Sequence, residues 1–107
     1  MRIVLDACVP AGFARFLKGH DVTTVSRLFG SSNIDDGPLL DRLAGQCDAF
    51  VTVDKNLPFQ QTLRGRPFPV MLLRAHSNSL EHLVPLAPQL LRELPRARAG
   101  DLRVVGV

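Results

Sequence analysis

Two stretches of this chain are apolar and rich in β-formers throughout, and each stops at an aspartate: Arg2-Ile3-Val4-Leu5-Asp6 and Ala49-Phe50-Val51-Thr52-Val53-Asp54. A strand with one wet face alternates apolar and polar residues, whereas a strand buried on both faces reads as a continuous apolar run, the habit of parallel sheets covered by helices on each side. The pair therefore constrains the chain to an α/β sheet. If both runs are parallel strands of that sheet, their aspartates lie on one rim. Open α/β sheets place their ligands there, beyond the carboxyl ends of the strands.

The rest of the chain supplies the other elements. Pro10 suits the first turn of a helix, and Phe13, Phe16 and Leu17 repeat at helical spacing up to Gly19. Asp21-Val22-Thr23-Thr24-Val25 predicts a second strand, with no assignment for the stretch through Leu28 and Phe29, and Gly30-Ser31-Ser32-Asn33 is a loop. Asp35-Asp36-Gly37-Pro38 predicts a helix entrance, with Leu39, Leu40, Leu43 and Ala44 as its apolar face and an end near Gly45. Pro58 and Pro67 bracket a short segment with room for one helical turn, and Pro69 opens a fourth strand, Val70-Met71-Leu72-Leu73. Asn78-Ser79-Leu80-Glu81 has capping-box spacing with Asn78 as N-cap. The stripe Leu80, Leu83, Val84, Ala87, Leu91 and Leu94 behind it predicts a core helix bent at Pro85 and Pro88. Arg96 to Gly100 is a basic connection before a last, edge strand from Asp101 to Val107.

This alternation predicts an α/β fold, a three-layer sandwich around a mostly parallel, roughly five-stranded sheet. At 107 residues it is a single domain spanning 1–107. If the first and third strands are neighbours, with the second outside the first and the fourth beyond the third, the direction of travel reverses between the two aspartates. No run approaches the roughly 20 apolar residues of a membrane helix, and the N-terminus enters a strand directly, so a cytoplasmic protein without membrane contact is expected. Cys8 and Cys47 stand in no Cys-x-x-Cys pattern and read as buried free thiols. Charge is uneven: Met1 to Phe59 has six Lys/Arg against seven Asp/Glu, net −1, and Gln60 onward has seven against three, net +4. A basic second half suits a polyanionic partner such as RNA.

Carboxylates paired on a rim suit magnesium or manganese, which take oxygen ligands, keep several waters, and are completed by phosphate oxygens of a substrate. Asp6 and Asp54 are the candidate ligands and catalytic acids, with Asp36 as a third, although an aspartate ending a strand or opening a helix is also ordinary turn and cap chemistry. Lys55 and Asn56 directly follow Asp54 and are candidates for binding substrate phosphate. Arg74, His76, Ser77 and Asn78 follow the fourth run and face the same site if it borders the third; of these, Arg74 and Asn78 join the substrate-binding set. His20 and His82 carry no partner signature. There is no Gly-x-Gly-x-x-Gly, P-loop or Ser/His/Asp order. Six Phe with no Trp or Tyr predict core rather than a base-stacking platform.

The residues Leu5-Asp6-Ala7-Cys8-Val9-Pro10, Gly19-His20-Asp21-Val22, Gly37-Pro38-Leu39-Leu40, Phe50 through Gln61 and Ser77-Asn78-Ser79-Leu80 resemble the small bacterial PIN-like proteins, many of them toxins of toxin–antitoxin pairs. The resemblance covers nearly the whole chain and is most specific from Phe50 to Gln61. It implies a PIN-type sandwich, a metal-dependent endoribonuclease with Asp6 and Asp54 matching family acids, and a small antitoxin as partner. Arg64 and Arg66 then join Lys55 and Arg74 as contacts to the RNA backbone. Two departures stand out: the family has a glutamate after its first aspartate, where this chain has Ala7, and another acid at the helix entrance, where it has Pro38. Fewer acids weaken cation binding, so a non-catalytic relative that binds RNA or protein is the alternative. A phosphoacceptor of the receiver kind also places aspartates after its first and third strands, but it requires a lysine beyond a later strand, and no lysine follows Lys55. A homodimer through the Leu80 to Leu94 stripe is a further expectation.

Overall fold

The computed structural model describes residues 1–106. Five strands form one sheet: β1 (Arg2–Leu5), β2 (Asp21–Thr24), β3 (Ala49–Thr52), β4 (Val70–Arg74) and β5 (Leu102–Gly106). Their order is β2-β1-β3-β4-β5 and every pairing is parallel, with Leu5 beside Val51, Val51 beside Met71, and Met71 beside Arg103. The fold is thus the three-layer α/β sandwich expected from the sequence, with a wholly parallel sheet. The chain runs outward from β1 to β2 and returns to β3, so the reversal lies between β1 and β3.

Period-two alternation divides the strand residues between two cores. On the first face Ile3, Leu5, Ala49, Val51, Met71, Leu73 and Val105 pack against Phe13, Leu83, Leu90 and Leu94. On the second, Val4, Phe50 and Val70 pack against Val25, Leu39, Leu40, Leu43 and Leu57. The first face is covered by a 3₁₀ segment (Ala11–Phe16) and by the run from Leu80 to Arg96. The second is covered by α1 (Val25–Phe29), α2 (Asp36–Leu43) and α3 (Leu57–Gln60).

Several local expectations are corrected. The second strand stops at Thr24, whose hydroxyl accepts the N–H of Arg27 and caps α1, so the unassigned stretch is helical. The turn after Pro10 is 3₁₀ rather than α. The run after the fourth strand comprises α4 (Leu80–Leu83), a 3₁₀ turn (Val84–Leu86), α5 (Ala87–Glu93) and a 3₁₀ turn (Leu94–Arg96); Pro85, Pro88 and Pro95 each fall in the first turn of a piece, where a missing N–H costs nothing. The N-cap of α4 is Ser79, not Asn78. Its hydroxyl meets Nδ1 of His82, three residues on, at 3.2 Å, so histidine occupies the position expected for Glu81. Of the predicted stripe, Leu83, Ala87 and Leu94 are buried in the first core, which Leu90 joins, while Leu80, Val84 and Leu91 are half-buried.

The last crossover departs from the others. From β2 to β3 and from β3 to β4 the chain moves in one direction across the sheet with its helices on the second face; from β4 to β5 it keeps that direction but passes over the first face. The last crossover therefore has the opposite hand, against the strong preference for one hand in such units. The second face of β5 is consequently left bare, with Leu102 40% and Val104 44% exposed. Gly106 ends β5 at φ 104°, and a Cβ there would come within 2.1 Å of the Arg74 carbonyl oxygen, so only glycine lets the strand close against β4.

Candidate functional site

Asp6 follows β1 directly, and Asp54 lies two residues beyond β3, so both stand at the carboxyl rim on either side of the topological reversal. Asp6 is 8% exposed, and both of its carboxylate oxygens are engaged. Oδ1 accepts the backbone N–H of Ala7 at 2.8 Å, and Oδ2 accepts the hydroxyl of Thr52 at 2.7 Å. The same Thr52 oxygen accepts the backbone N–H of Asp54 at 3.1 Å. Thr52 is fully buried and ties the two acid-bearing loops together. Asp54 in turn accepts the N–H of Asn56 through Oδ1 at 3.0 Å, which fixes the entry to α3.

Asp36 opens α2, with Asp35 as the N-cap residue. Burial raises its pKa above the usual carboxylate value, and the negative charges of Asp6, Asp54 and Asp35 raise it further. Asp36 therefore stands within electrostatic reach of both strand-end acids. Gly37 in the first turn of α2 faces the Gln61 side chain at the end of α3. Among the described residues, however, no group of three or more His, Cys, Asp or Glu side chains is gathered closely enough to cage an ion.

A cleft of about 550 Å³ opens from Asp54 across the ends of β3 and β4. Lys55, Asn56, Arg74 and Asn78 all line it, so these four substrate candidates share the cleft with one of the acids. His76 and Ser77 complete its far wall. Ser77 Oγ lies 2.5 Å from Nδ1 of His82, and the His76 and His82 rings meet edge to face at 5.2 Å between centroids, so His82 holds a loop in place. Arg66 pairs with Asp41 of α2, and neither it nor Arg64 lines the cleft. Lys55 and Arg74 make no ion pair among the described residues.

Two residues of this site were not singled out from the sequence. A threonine inside an otherwise apolar strand must find a hydrogen-bond partner when buried, and that was the available signal for Thr52. Cys8, expected to be buried, is exposed at the mouth of the cleft, with Sγ 3.6 Å from Asp6 Oδ2 and 3.7 Å from Thr52 Oγ1. Cys47 is buried as expected, and desolvation first, then the charge of Asp48, pushes its thiol up to about 11. No family model, no curated protein and no solved structure matches the chain.

The donor chemistry suits a hydrated Mg²⁺ or Mn²⁺. Such an ion needs only one or two carboxylates, its remaining positions being filled by water and substrate phosphate, and here the rim acids stand beside a cleft that carries the cations Lys55 and Arg74. The donor set does not suit an all-protein cage.

Proposed function

We propose that the chain is a metal-dependent endoribonuclease of the PIN-like kind, with Asp6 and Asp54 as ligands of one Mg²⁺ or Mn²⁺ and Asp36 acting beside them. The observation that carries this reading is the Thr52 bridge, which fixes the loops of two strand-end aspartates to each other at the rim where α/β sheets bind ligands. When bound, the cation would supply an acidified water and neutralise charge on the scissile phosphate. The chain's own residues do the rest. Thr52 and the Ala7 N–H hold the Asp6 carboxylate in one orientation, and the N–H of Asn56 does the same for Asp54. Lys55 and Arg74 draw the RNA backbone into the cleft, while Asn56 and Asn78 offer it neutral hydrogen bonds.

The resemblance adds a small antitoxin-like protein as partner and a bacterial cytoplasmic setting, which free thiols at Cys8 and Cys47 suit. No helix among the described residues is long and apolar enough to cross a membrane. The second reading, a degenerate relative that binds RNA or a protein without cutting, is favoured by Ala7 and Pro38 standing at positions acidic in the family and by the missing three-acid group.

Cleavage of single-stranded RNA with and without Mn²⁺ tests the proposal. Asp54→Asn is expected to lower the rate on the order of a hundredfold or more. Equal cleavage by the variant would assign the activity to a contaminant. No calorimetric uptake of Mn²⁺ at millimolar concentration, together with intact RNA binding, would leave the non-catalytic reading.

A further inference from the structure

The aromatic residues do not all serve the core as the composition suggested. Phe13, Phe50 and Phe68 are fully buried, but Phe59 is 89% exposed, the most exposed of the large apolar side chains. Its place in the fold is specific. Asp54 Oδ1 holds the N–H of Asn56, the Asn56 carbonyl accepts the N–H of Phe59, and the ring thus sits on the same hydrogen-bonded segment as the candidate ligand. Phe59 and Pro58 form one wall of a groove of about 290 Å³ whose floor is Leu72, Leu102 and Val104, the face of β4 and β5 left bare by the last crossover.

This groove is not isolated. Lys55, Asn56 and Arg74 line both it and the larger cleft that begins at Asp54, so a shared cationic wall joins an apolar slot to the acidic rim. A cationic wall beside a flat apolar surface matches the composition of a nucleic-acid strand, phosphate followed by base. A second copy of the chain fits less well, because the groove lining contains two cations and no acid, and a two-fold contact would bring like charges together. Stacking needs no particular base, since every base has a π-face.

We propose that Phe59 is a stacking platform for a nucleobase of single-stranded RNA, its neighbouring phosphate held by Lys55 and Arg74 and the strand continuing to the Asp6–Asp54 rim. This rests on RNA being the ligand of the rim, and it deepens that reading by naming the side chain that takes the base. A base inside a duplex has no free face to offer Phe59.

The chain contains no Trp or Tyr, so Phe59→Trp introduces a single indole reporter. The variant, combined with Asp54→Asn and kept free of divalent metal so that binding is read without cleavage, is titrated with a single-stranded oligoribonucleotide of about eight nucleotides, within the footprint of such platforms. Quenching by the oligomer, weak or absent with an abasic oligomer of equal length or with a duplex, is the expected result. Phe59→Ala, whose exposed ring contributes little to folding, should lose roughly tenfold or more in affinity for the same oligomer by anisotropy. No quenching, or equal quenching by the abasic strand, overturns the proposal. It is also overturned if Phe59→Ala converts a sedimenting dimer to monomer with RNA affinity unchanged, which would make the groove a protein interface. Stacking without any metal-dependent cleavage by the native chain would retain Phe59 as an RNA contact and remove only the nuclease reading.

Discussion

The two faces of the sheet are made of similar strand residues but finished differently. On the first face the long run from Leu80 to Arg96 reaches β5, so Val105 is buried and the Gly106 N–H is bonded by Gln89. On the second face the helices end with α3, leaving Leu102 and Val104 in solvent, while at the other side of the same face Asp6 and Thr52 are buried and hydrogen-bonded. The difference follows from the path of one crossover. It teaches that a full core and an accessible ligand surface can be built from the same β-propensity when the covering helix passes over the other side.

The largest effects should come from the covered face. Leu90→Ala removes a fully buried side chain and is expected to cost about 2–5 kcal/mol in urea unfolding, whereas Val104→Ala on the bare face should stay within about 0.5 kcal/mol. Equal costs would mean that β5 is covered on both sides in solution.

An intermediate effect is expected where the second face turns polar. Thr52→Val keeps the shape but leaves Asp6 Oδ2 and the Asp54 N–H without their shared partner, and should cost about 1–3 kcal/mol of stability and roughly 10–100-fold in Mn²⁺ affinity or cleavage. Thr52→Ser, which restores the hydroxyl, should recover most of both. Failure of serine to rescue would make the threonine's role one of packing.

The smallest effect concerns Asp36. Its folded pKa lies above its unfolded value, so between the two the folded chain binds more protons, and stability falls as pH rises through that window. Asp36→Asn should therefore raise Tm slightly at pH 7 and change nothing below about pH 3, where both forms are neutral. A loss of stability at pH 7 would mean that the charge is compensated rather than repelled.

Much of this was legible in the sequence. Unbroken apolar runs required strands buried on both sides, helix-length connections required parallel pairing, and aspartates at the run ends had to reach one rim once β1 and β3 became neighbours. These are local propensities and periodicities, carried by each residue wherever the chain goes. What depended on distant partners was not legible. The role of Thr52 exists only because Leu5 and Val51 are in register, the exposure of Phe59 only because no helix crosses the second face of β5, and the Ser77–Ser79–His82 cluster only because the loop folds back on α4. Pattern alone determined the layers and the placing of the acids. The tertiary structure decided which polar groups meet and which apolar surface stays open, because hydrogen bonds and burial are fixed by positions in space that sequence neighbours do not set.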